Sequence, residues 1–128
     1  MILDSSAIVA IFLKEPGHEE MLHKLASTSS RAIGSPTLAE SGIVLTAKMS
    51  RNAIGLLARF LQEADVVSVP FGDEHWKEAV DAFERYGRGQ HRASLNFGDC
   101  MTYSVARLAD EPLLCVGEDF AQTDLLIA

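Results

Sequence analysis

Residues 1–12, Met1-Ile2-Leu3-Asp4-Ser5-Ser6-Ala7-Ile8-Val9-Ala10-Ile11-Phe12, decide how the chain is read. Ile2 and Leu3 have the character of the end of a short buried strand. The run from Ala7 to Leu13 is apolar enough to begin a helix. Between the two stands Asp4, followed by a pair of serines. A carboxylate at a strand-to-helix junction is costly unless something partners it. In open α/β sheets that edge is also where ligands bind. The remaining sequence is therefore searched for carboxylates at equivalent junctions.

Composition narrows the field first. With 48% apolar and 23% charged residues in 128, the chain has the balance of a soluble globular domain with a real core. No apolar run approaches the roughly 18 residues of a membrane span. No basic segment precedes the first hydrophobic stretch, so neither a membrane helix nor a cleaved signal is expected, and the cytoplasm is the expected compartment. Cys100 and Cys115 show no CxxC spacing and sit among apolar residues, which argues for core cysteines over a zinc site or a disulfide framework. The net charge of −7 argues against a broad, non-specific grip on a phosphate backbone. It leaves room for an enzyme whose acids hold cations.

Working outward from residue 12, a helix from Ser6 to Leu13 should end at the Glu15-Pro16-Gly17 turn, and a second should run from His18 to Ala26. Ala32-Ile33-Gly34 reads as a short strand. Ser35-Pro36 then opens a helix, with Ser35 as cap and Pro36 in the first turn. Glu40 follows about one turn in, beside Ile43 and Val44, where an unpaired charge calls for a cation. A further helix carries Ile54, Leu57, Ala58 and Leu61. The surplus apolar residues on this helix pair suggest a dimer or partner surface. Val66 to Val69 reads as a buried strand stopped by Pro70, and Asp73 to Tyr86 as a helix with Trp76, Ala79, Val80 and Phe83 facing inward. Residues Gly87 to Ala93 form a glycine-rich, locally basic loop in which Arg88, His91 and Arg92 are candidate phosphate contacts.

Asn96 or Gly98 opens the next helix, with Asp99 in its first turn. Leu113 to Val116 is another buried strand, and Asp119 in the turn beyond it repeats the placement of Asp4. Leu125 to Ile127 is the last strand candidate. The order of elements predicts one α/β domain over 1–128, with a small, mostly parallel sheet flanked by helices.

Asp4, Glu40, Asp99 and Asp119 are thus the acids placed at sheet edges or early in helices that start near them. Four acids together would repel strongly unless divalent cations neutralised them, and Mg²⁺ or Mn²⁺ prefer oxygen donors. Such a site suits hydrolysis of a phosphodiester. Ser5 and Ser6 are placed to orient Asp4 or a water, and Thr123 and Asp124 lie just past Asp119. Asp124 is an alternative to Asp119 as the fourth acid. No histidine has ligand spacing to another, and no Ser-His-Asp order occurs. A phosphatase with an aspartate nucleophile would want a second Asp where Ser6 stands. A phospho-acceptor domain would want an adjacent acidic pair near the N-terminus, where Asp4 is alone.

These residues carry a resemblance. The stretches LDSSAIVAIFLKEPG, SPTLAESGIVL around Glu40, FERYGRGQHRASLNFGDCMTYSVA and LLCVGEDFAQTDLLIA together resemble a PIN-domain ribonuclease, specifically the VapC toxins of VapBC toxin–antitoxin pairs. The resemblance covers essentially the whole chain, and the pairing of DSSAIVAI with LNFGDC is its specific part. It implies an acidic pocket of Asp4, Glu40, Asp99 and Asp119 that binds Mg²⁺ or Mn²⁺. It also implies transfer or ribosomal RNA as substrate, blocked translation, a VapB-like antitoxin that masks the site, and a homodimer. The chain departs from the family pattern at Val116, where a Lys or Arg is common, and at Glu118, where a polar residue such as Asn is common. Arg88, His91 and Arg92 are then left with more of the substrate contact. The non-enzymatic alternative is a PIN-fold module that binds RNA or protein without cleaving.

Overall fold

A computed structural model describes residues 1–128. In chain order the elements are β1 (Ile2–Leu3), α1 (Ser5–Phe12), α2 (His18–Ser27), β2 (Arg31–Gly34), α3 (Ser35–Met49), α4 (Ile54–Glu63), β3 (Val66–Val69), α5 (Asp73–Tyr86), α6 (Phe97–Ala109) and β4 (Leu113–Leu114). A short 3₁₀ turn follows at Phe120–Gln122. The four strands pair in parallel in the order β3-β2-β1-β4. Successive strand residues point to opposite faces, and the core divides accordingly. Ile2 and Leu113 pack with Ala79, Ala82, Tyr103 and Val105 from α5 and α6. Leu3, Ile33 and Leu114 pack on the other face with Ile8, Leu25, Leu45 and Leu57 from α1 to α4. Helices on both faces of a parallel sheet are the α/β architecture expected from the sequence. No helix is long and apolar enough to cross a membrane.

The strand order locates the site. From β1 the chain builds outward through β2 to β3, then returns to add β4 on the other side of β1. The switch in direction falls between β1 and β4, and crevices form there at the carboxyl ends of the strands. Asp4 leaves β1 at that end, and α3 leaves β2 there. Because α6 leads into the parallel strand β4, its N-terminus also stands at the carboxyl edge.

Four local expectations are corrected. Ser35 does not cap α3. It is the first helical residue, and Gly34, extended at φ −68° and ψ 144°, holds the cap position with no side-chain hydrogen bond. Strand β2 runs straight into α3, which leaves no residue free to cap. Trp76, Val80 and Phe83 point outward, with Trp76 52% and Val80 59% exposed, while Ala79 faces the core as expected and Ala82 joins it there. The strand at Val66 to Val69 is an edge strand rather than a buried one, with only Val66 buried and Val67 exposed. The final segment contributes one bridge, Leu113 to Ile127, rather than a strand. Both cysteines are free and buried, as expected. Burial, with the nearby Asp4 charge, pushes the Cys115 thiol up to about 11, out of the reactive range.

Candidate active site

Asp4 is the N-cap of α1 and is only 4% exposed. Its Oδ2 accepts the Ser6 amide at 3.1 Å and the Ser6 hydroxyl at 2.6 Å. Its Oδ1 accepts the Thr102 hydroxyl at 2.9 Å. The Ser6 oxygen in turn accepts the Val116 amide at 2.9 Å, tying the segment after β4 to Asp4. Ser5 serves a different acid, donating to Glu40 Oε1 at 2.6 Å. The consecutive serines thus divide between two carboxylates. Glu40 is half-buried on α3 and lies against the start of α6. A Cβ added at Gly98 would run into the Glu40 carboxylate, so glycine there is what admits that side chain.

Asp99 is the third residue of α6. It accepts the Asn96 amide at 3.0 Å, while its own amide donates to the Asn96 side chain at 2.9 Å, a reciprocal cap that pins the carboxylate to the helix start. Burial first, then the charges of Asp4, Asp119 and Glu40, push this carboxyl up to about 6 against the hydrogen bond from Asn96. Three of the four expected acids therefore act on the fourth. Asp119 is exposed at the head of the 3₁₀ turn and makes no capping hydrogen bond. The ion pairs of the molecule are Met1–Glu111, Lys24–Glu20, Arg59–Glu63 and Arg85–Asp124. None involves Asp4, Glu40, Asp99 or Asp119. The free side chains do not preassemble a closed metal shell, since no three His, Cys, Asp or Glu stand in common ligand range.

The remaining expected residues divide between two surroundings. Asp124 accepts Tyr103 Oη at 2.6 Å and Arg85 Nη2 at 3.2 Å, which occupies both carboxylate oxygens. Thr123 closes its own turn, donating to the Phe120 carbonyl at 2.6 Å and accepting the Leu125 amide at 3.2 Å. Arg88 and Arg92 are exposed on the loop before α6. His91 is built into that loop, its Nδ1 accepting the Ala93 amide at 3.0 Å and its ring standing edge-on to Tyr86 at 5.1 Å. The loop is pinned at its base, where Leu95 N–H donates to Tyr86 and Arg88 N–H donates to Leu95, one residue before the cap of α6. Sequence reasoning missed Thr37, Thr102, Tyr103 and Arg85. Thr102 lies one turn beyond Asp99 and Thr37 one turn before Glu40, but nothing in either local sequence marks a partner on another element.

The parallel fold with its acidic carboxyl edge defines a class, and the comparisons agree. A family model of the PIN domain matches residues 1–126, and the chain belongs to the PIN-domain family. Its curated relatives are VapC ribonucleases. Ribonuclease VapC36 of Mycobacterium tuberculosis is 46% identical, spanning 98% of this chain and 91% of that protein. Ribonuclease VapC of Mycolicibacterium smegmatis is 35% identical, spanning 98% and 97%. Among solved structures, M. tuberculosis VapC20, described as a sarcin–ricin loop cleaving toxin, superposes with a TM-score of 0.81 at 15% identity, covering 99% of this chain and 97% of that one. A toxin–antitoxin complex from Klebsiella pneumoniae gives 0.73 at 16% identity, covering 99% and 95%. At those identities the structural likeness speaks for the fold alone.

Proposed function

We propose that this VapC-type PIN protein is a divalent-metal-dependent endoribonuclease that acts through Asp4, Glu40, Asp99 and Asp119 as the toxin of a toxin–antitoxin pair. The observation that carries this reading is the set of acids at the carboxyl edge with no basic side chain paired to any of them, one of them pushed up to about 6. The donors are all oxygen, which fits Mg²⁺ or Mn²⁺. Mg²⁺ commonly takes one or two carboxylates and keeps several waters, so a site without three preassembled side-chain ligands still fits. When bound, the cation supplies Lewis acidity to water and to the phosphodiester, and neutralises charge on the departing oxygen. The chain's own part is placement. Ser6 and Thr102 hold Asp4, Ser5 holds Glu40, and the Asn96 cap holds Asp99.

The substrate class proposed is transfer or ribosomal RNA, the place of action the cytoplasm, and residues 1–128 form a single PIN domain. Two apolar surfaces support further partners, a homodimer mate and a VapB-like antitoxin. One is a groove of about 810 Å³ between α3 and α4, with Ile43 and Ile54 exposed on it. The other is a cleft of about 550 Å³ with Trp76, Phe83 and Phe97 along it.

Asp99→Asn tests the reading. It keeps the cap geometry and removes the charge, so Mg²⁺-dependent cleavage and growth inhibition should both vanish while circular dichroism and Tm stay near wild type. Sequencing the 5′ ends of cleaved RNA, with and without the change, locates the bond. Retained cleavage would remove Asp99 from the site. Growth inhibition that survived both Asp4→Asn and Asp99→Asn without cleavage would make the protein the binding module instead.

A further inference from the structure

We propose that Thr102, with Thr37 behind it, is a positioning residue that sets the orientation of Asp4 and ties the helices bearing Glu40 and Asp99 to it. This rests on the reading of Asp4, Glu40 and Asp99 as the metal-holding acids. Thr102 Oγ1 donates to Asp4 Oδ1 at 2.9 Å, and Thr37 Oγ1 lies 2.9 Å from Thr102 Oγ1. A hydroxyl has one proton to give. The proton of Thr102 is committed to a carboxylate that can only accept, so Thr37 must donate to Thr102. The direction of the chain is therefore fixed, Thr37 to Thr102 to Asp4. Thr37 is 2% and Thr102 1% exposed, so neither can exchange its partner for solvent. No buried side-chain polar atom in the molecule lacks a partner, so every link is used.

The chain's position argues for more than satisfied burial. Thr37 stands on α3 one turn before Glu40, and Thr102 on α6 one turn after Asp99. Two buried hydrogen bonds thus join the roots of both acid-bearing helices to the carboxylate at the end of β1. With Ser6 holding Oδ2, Thr102 fixes the remaining freedom of Asp4, the rotation of its carboxylate about Cβ–Cγ. Partners of this kind, one bond behind a ligand, typically account for about 10- to 100-fold in metal affinity.

The test uses Mn²⁺ alone, titrated calorimetrically into the full chain, beside steady-state cleavage of an RNA substrate. Thr102→Val keeps the shape and removes the donor. It should weaken Mn²⁺ binding by about 10- to 100-fold and lower kcat with little change in KM. Thr102→Ser keeps the hydroxyl and should restore both. Thr37→Val leaves the Thr102–Asp4 bond and should weaken Mn²⁺ binding only several-fold, and the double variant should resemble Thr102→Val, because the two links act in series. Wild-type Mn²⁺ affinity in Thr102→Val, alongside lost affinity in Asp99→Asn, would overturn the positioning role and leave the site standing. Unchanged affinity and cleavage in Asp99→Asn would overturn the site itself. If Thr102→Val does not fold, Thr37→Val decides: weaker Mn²⁺ binding supports the role, and unchanged binding overturns it.

Discussion

Asp119 and Asp124 are both acids beyond β4, and their surroundings separate them. Burial pushes the Asp124 carboxyl up, but the hydrogen bonds from Tyr103 and Arg85, with the Arg85 charge, outweigh it and hold the group below its ordinary value. The Asp119 charge instead helps raise Asp99. A folded-state pKa below the unfolded one, near 3.9 for an aspartate, gives stability that is present above the unfolded value and is lost as pH falls through the folded one. Asp124→Asn should therefore lower stability at neutral pH by about 1 kcal/mol, the scale of a largely solvent-accessible ion pair with one good hydrogen bond. That deficit should shrink as the pH is taken below about 4. Thermal unfolding across a pH series measures it, and a deficit that persisted unchanged in acid would mean the ionised carboxylate contributes nothing. Cleavage should survive Asp124→Asn and fall in Asp119→Asn.

Helix α5 shows what apolar periodicity leaves undecided. Its apolar residues form two stripes, and the pattern places a helix over 73–86 without saying which stripe faces the sheet. Size resolves it. Ala79 and Ala82 let α5 sit close on α6, while Trp76, Val80 and Phe83 turn to the open cleft. Ala82→Leu should cost about 1–3 kcal/mol in urea unfolding through overpacking, and Val80→Ala should change stability by no more than about 0.5 kcal/mol. The reverse ranking would restore the inward reading of Val80. The placement of the acids along the fold, by contrast, was legible, because most fall at a boundary that local chemistry marks: a strand end before Asp4, the first turn of α6 for Asp99, the turn after β4 for Asp119, with Glu40 one turn beyond the start of α3. Thr37 and Thr102 were not, since a threonine inside a helix most often bonds its own backbone and nothing local signals a partner on another helix. Nor was the end of the sheet, where the apolar Leu125 to Ile127 reads as a strand but makes a single bridge to Leu113.

Over the whole molecule, charge sets a problem that binding to RNA must overcome. The chain carries −7 overall, and the acids at the carboxyl edge concentrate part of that charge where a phosphate would approach. Bound cations would offset part of that charge. The other resource is the loop from Gly87 to Ala93, whose base is hydrogen-bonded to Leu95 at the threshold of α6, so that its arginines are carried beside the helix that presents Asp99. Arg88 and Arg92 are exposed there and enter no ion pair with an acid of the chain. Val116 stands exposed beyond β4 and, being uncharged, supplies no phosphate contact of its own. If each arginine neutralises one phosphate of a single strand, each adds about 0.7 to the slope of log affinity against log salt. Changing both to Ala should weaken RNA binding at low salt and flatten that slope by about 1.4, with Tm and Mn²⁺ affinity unchanged because neither side chain pairs with Asp4, Glu40, Asp99 or Asp119. Filter binding of a catalytically silent Asp99→Asn background, measured across a salt series, isolates the effect from cleavage. An unaltered slope would assign the loop to solvent and return the search for phosphate contacts to the exposed bases of the other helices.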